Sequence, residues 1–70
     1  MSYLDLRHLS APEPMLRTLV ASEALARGDT LEVLTPPLPA PLLQLLELRG
    51  FEASASLLQD GSAYVRVRRP

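Results

Sequence analysis

His8 is the one histidine of this chain, and Asp5 and Glu13 lie on either side of it. Together they suggest a metal site, but zinc needs three or four convergent ligands and no second histidine or any cysteine is present to complete one. His8 therefore reads as a loop histidine. As a carboxylate pair, Asp5 and Glu13 would have the chemistry of a general acid and base. Asp5 is expected instead to pair with Arg7 or Arg66 on an open sheet face. Tyr64 with Arg66, Arg68 and Arg69 has the residue types of a nucleic-acid-binding strand, with one ring to stack and three cations for phosphate. Eight acids against seven arginines favour a solvated strand face over that use. No catalytic residue, metal ligand or cofactor is assigned.

Composition narrows the classes further. The absence of cysteine removes disulfides, zinc-thiolate sites and thiol nucleophiles together. It also argues against a small secreted domain, which is usually stapled. With no basic-then-apolar leader pattern, a cytoplasmic location is expected. No apolar run approaches the roughly 18 residues of a membrane span. The net charge of −1 lies far from the basic footprint of a nucleic-acid-binding domain. At 70 residues and 47% hydrophobic composition the chain is expected to be one domain, residues 1–70, with a core. At this size only about 60% of the unfolded surface is buried, so every apolar face is needed.

The elements that position these residues follow from periodicity. Tyr3 to Arg7 alternates, with Leu4 and Leu6 on one face, as in a short strand. Ser10 to Pro14 reads as a loop feeding a helix, with Ser10 as a cap and proline in the first turn. Met15, Leu16, Leu19 and Val20 are expected to form that helix's apolar face, and Gly28 to stop it after Arg27. Glu13 at its start and Arg27 at its end suit the helix dipole. Leu31 to Thr35 is the second strand, with Leu31 and Val33 towards the core and Leu34 opposite. Pro36, Pro37, Pro39 and Pro41 hold an extended connection into a second helix, which Gly50 ends. Of its leucines, Leu43 or Leu48 is expected at the border, partly exposed.

Phe51 to Leu58 and Ala63 to Arg68 alternate as a hairpin pair around Asp60-Gly61. A two-residue loop would set Ser56 against Val65, apolar against polar. A three-residue loop, Gln59 to Gly61 with a left-handed glycine, aligns Leu57 with Ala63, Ala55 with Val65 and Ala53 with Val67. The expected fold is a two-layer α/β (α+β) sandwich of order β-α-β-α-β-β. It has a four-stranded mixed sheet with both helices on one face, and right-handed crossover makes the first two strands parallel.

Leu4-Asp5-Leu6-Arg7, Pro12-Glu13-Pro14-Met15-Leu16 and Gly28-Asp29-Thr30-Leu31-Glu32-Val33 resemble the TusA/SirA sulfur-carrier superfamily over nearly the whole chain. The resemblance implies that fold. It also implies a persulfide-bearing cysteine at the start of the first helix, where this chain has Ala11. A closer resemblance is to a cysteine-less branch of uncharacterised domains, through residues 4–7, 12–15, 39–42 and 49–51. Members of that branch often carry histidine where this chain has Thr35.

The expectation is a non-catalytic, protein-binding or regulatory module, unable to carry persulfide, with an unidentified protein partner. One partner surface is expected at Ser10, Ala11, Pro12, Glu13 and Pro14, and another at Pro37, Pro39, Pro41 and Leu43. The alternative is a small anionic ligand held by the helix-one N-terminus, through the N–H groups of Glu13, Met15 and Leu16. A third reading is a weak RNA contact through the arginine strand. A monomer or weak dimer is expected, with no membrane partner.

Overall fold

The computed structural model describes residues 2–36 and 40–70. The elements in order are β1 (Ser2–Asp5), α1 (Glu13–Glu23), β2 (Thr30–Thr35), α2 (Ala40–Leu48), β3 (Glu52–Leu57) and β4 (Ala63–Arg68). The four strands form one mixed sheet in the order β1-β2-β4-β3. β1 runs parallel to β2, and β4 is antiparallel to both β2 and β3. The fold class is the α+β two-layer sandwich expected from the alternation of elements.

The hairpin register is the one that parity requires: Leu57 faces Ala63, Ala55 faces Val65 and Ala53 faces Val67. Leu58 N–H donates to the Ser62 carbonyl at 2.8 Å and closes a loop of Gln59 to Gly61. Gly61 has φ +87°, the left-handed geometry that lets the odd loop return in register. Alternation in β2 and β4 points Leu31, Val33, Val65 and Val67 at the helices, where Leu42 and Leu46 of α2 meet them, all fully buried. Each such side chain contributes about 1.5–3 kcal/mol of burial free energy.

Helix α1 departs from expectation in both length and orientation. It ends at Glu23, not Arg27, and Arg27 lies outside it. Gly28 is the left-handed residue of the turn leading into β2, with its N–H bonded to the Arg69 carbonyl at 2.6 Å. That bond ties the turn to the end of β4 and draws the chain off the helical path. The buried stripe of α1 is Pro14, Thr18 and Ser22. Met15 and Leu19 only flank it, while Leu16 and Val20 are 46% and 72% exposed. The stripe that α1 turns inward is thus made of small or polar side chains. The two hydroxyls cost little there because each bonds a carbonyl one turn back, Thr18 to Pro14 and Ser22 to Thr18, both at 2.7 Å. Ser10 gives no side-chain cap; Pro12 occupies the cap position.

Of the two leucines expected at the border of α2, Leu48 is the exposed one and Leu43 is half-buried against the core. Leu57, though in register with Ala63, lies at the sheet's end and is exposed.

Candidate functional site

The chain from Leu9 to Pro12 leaves the turn after β1 and crosses the C-terminal end of β2 before α1 begins. The Ala11-Pro12 peptide bond is cis. Beside it β2 ends at Thr35, and Pro41 lies in the first turn of α2. These segments enclose an open cleft of about 690 Å³. Ser10, Ala11 and Pro12 form one rim, and Pro14 and Met15 of α1 form the wall behind it. Thr35 and Leu42 reach it from the core side, Pro36 and Pro41 from the α2 entrance, and Gly61 from the hairpin.

Its volume falls within the about 300–1,000 Å³ typical of ligand-binding pockets. Among the described residues none that line it is ionisable, and four are prolines. The cleft thus offers apolar contact and a few hydroxyl and backbone groups, with no acid or base to move a proton. Two segments expected to form partner surface meet here: Ser10, Ala11, Pro12 and Pro14 from one, Pro41 from the other. Glu13 is not part of the lining; it faces Arg17, with the two charges 3.2 Å apart. Leu43 packs towards the core. Pro37 and Pro39 lie outside the described residues. Thr35 and Gly61 were missed as lining residues. Thr35 was marked only by the resemblance, as the place where branch members often carry histidine, and Gly61 only by its position in the hairpin turn.

The helix-one N-terminus does not offer the three free donors that an anion would need. Glu13 N–H donates to the Ser10 carbonyl at 3.0 Å and Leu16 N–H to the Pro12 carbonyl at 3.1 Å. Two of the three arginines at the end of the chain are likewise engaged, while Arg66 is exposed on the sheet face. Arg68 pairs with Glu52 at 2.9 Å. Arg69 lies over the Phe51 ring, 5.1 Å from its centre, and donates to the Glu23 carbonyl at 3.3 Å. Tyr64 gives its hydroxyl hydrogen to the Glu32 carboxylate, which raises its pKa.

Outside the cleft, Asp5 pairs with Arg7 rather than Arg66. Arg7 holds the Asp5 carboxyl down to a pKa of about 2. Arg7 also reaches Asp60 at 3.7 Å, linking the end of β1 to the hairpin. Asp60 is held low chiefly by hydrogen bonds from Ser62. Among the described residues no three His, Cys, Asp or Glu side chains gather as metal ligands, and no helix is long and apolar enough to cross a membrane.

Residues 3–69 match the model of the family described as uncharacterised conserved protein, DUF2249. The chain belongs to that family. Its fold is shared with the SirA-like protein of Desulfitobacterium hafniense, whose crystal structure superposes with a TM-score of 0.77. The match covers 96% of this chain and 95% of that one at 21% identity, a likeness of fold. No curated protein matches the sequence.

Proposed function

We propose that this family member is a non-catalytic binding module that takes an apolar segment of a protein partner into the cleft at the start of α1. The observation that carries this reading is the lining: chiefly proline, leucine, methionine and alanine, with Ser10, Thr35 and Gly61 and, among the described residues, no ionisable side chain. Such a surface favours apolar anchors, and prolines on both rims reduce the ordering cost of docking. Ala11 on the rim has no nucleophile, and no cysteine exists elsewhere in the chain, so the module is proposed to bind without carrying sulfane sulfur.

The test places a photo-crosslinking amino acid at Ala11 and, separately, at Ser54 on the opposite sheet face, in extract from the native cell. The expected result is a discrete protein adduct from position 11 alone. Excess unlabelled chain suppresses it, and excess Met15→Glu, Pro41→Glu chain does not. Equal adducts from both positions, or equal competition by both chains, would overturn the reading.

A further inference from the structure

Sheet order leaves β1 and β3 as the two edges, and they are finished differently. α2 packs over β3, whereas α1 packs on β2 and α2. The helix side of β1 is therefore left open as a groove of about 430 Å³ between Leu4 on the strand, Leu6 just after it, and Leu16, Val20 and Ala21 on the helix. On the other face of the same strand Tyr3 is 58% exposed. Among the described residues, three of the five exposed large apolar side chains thus surround one strand edge, on both faces of the sheet. The strand itself carries no proline or lysine to discourage pairing.

The hydrogen-bonding direction of β1 follows from one bond. Leu6 N–H donates inward to the Leu34 carbonyl at 2.8 Å. By alternation Leu4 also turns its N–H and C=O towards β2, and Tyr3 and Asp5 turn theirs outward. This outward pair is self-complementary. A two-fold axis at Leu4 sets Tyr3 of each copy opposite Asp5 of the other, where each pair exchanges two backbone hydrogen bonds. The two Leu4 side chains then meet at the closer, non-hydrogen-bonded position, on the same face as the groove.

We propose that two copies of this chain pair antiparallel through the outer edges of β1, joining two four-stranded sheets into one and closing the Leu16–Val20 groove. Charge agrees with a second copy as occupant. The groove rim carries one acid and one base, Glu13 and Arg17, and Asp5 is neutralised by Arg7, so the two faces meet without net repulsion. The contact is a four-residue strand and one helix stripe, a small interface, so association is expected to be weak and to depend on concentration.

Sedimentation equilibrium of the full chain from micromolar to millimolar concentration tests this, with amide hydrogen exchange at both ends of the range. The expected mass rises from one chain to two, and Tyr3 and Asp5 amides gain protection while Leu4 does not change. Tyr3→Pro removes an outward donor that the bonds to β2 do not use, and Val20→Glu charges the groove on an exposed position. Each is expected to keep the chain monomeric with its circular dichroism unchanged. Leu48→Glu and Leu57→Glu, equally exposed elsewhere, are expected to leave association intact. A wild-type chain that stays monomeric throughout overturns the proposal, whether or not a foreign extended peptide binds the edge. So does a dimer that survives both Tyr3→Pro and Val20→Glu.

Discussion

Asp5 accepts from Arg7 three times over: from its backbone N–H at 3.1 Å, from Nε at 2.9 Å and from Nη2 at 2.8 Å. These bonds favour the carboxylate and hold the Asp5 pKa at about 2, below its ordinary 3.8. A depressed carboxyl pKa stabilises the fold above the unfolded value. That stability is lost as the pH falls from near 3.8 towards about 2. The Asp5 carboxyl carbon, followed by NMR, is expected to titrate with a midpoint near 2 in the native chain. In Arg7→Gln the midpoint should return towards 3.8, because the side-chain bonds and the charge are both gone. An unchanged midpoint in that variant would assign the shift to something other than Arg7.

The contrast between the hairpin and α1 shows what the sequence encodes openly. Strand side chains alternate strictly, so Ala55, Val65 and the placement of Gly61 leave a single loop parity consistent with a buried face. The helix is read from apolar spacing alone, and Leu16 and Val20 satisfy it as well as any core pair would. In the fold α1 instead buries Thr18 and Ser22, whose hydroxyls bond within the helix. A hydropathy pattern counts both as polar. The cleft was half legible: the start of α1 and the proline connection each stood out, but their meeting with Thr35 and Gly61 depends on tertiary packing.

Because Ser22 is fully buried where α1 approaches the core, size there should matter more than polarity. Ser22→Ala gives up one hydrogen bond to a backbone carbonyl and gains helix propensity, so its net effect is expected within about 1 kcal/mol. Ser22→Leu forces the helix away from the sheet and is expected to cost about 1–3 kcal/mol. Urea unfolding of the two variants checks the order. A Leu variant as stable as wild type would mean the helix does not pack closely on this stripe.

Gly61 has open space around the position a Cβ would take, with nothing within 4 Å, so a substitution there meets backbone strain and no clash. At φ +87° Gly61→Ala is expected to lose about 1–2 kcal/mol. Gly61→Asn should lose less, since asparagine tolerates the left-handed region better. Thermal melts of the three proteins measure this directly. Equal loss in both variants would point to an unrecognised contact at the hairpin.

The apolar character of the cleft can be read with a single label, since the chain has no cysteine of its own. Ala11 is exposed on the rim, so Ala11→Cys is expected to change stability by no more than about 0.5 kcal/mol. An environment-sensitive fluorophore on that thiol can fold into the space beside Pro14, Met15 and Leu42. Its emission is expected to be blue-shifted relative to the same label on Ser54→Cys, which stands on the polar sheet face. Adding Met15→Glu places a charge in the wall and should return the emission towards that of the exposed site. If the two labels emit alike in the parent chain, the space beside Ala11 is wet and the binding reading loses its basis.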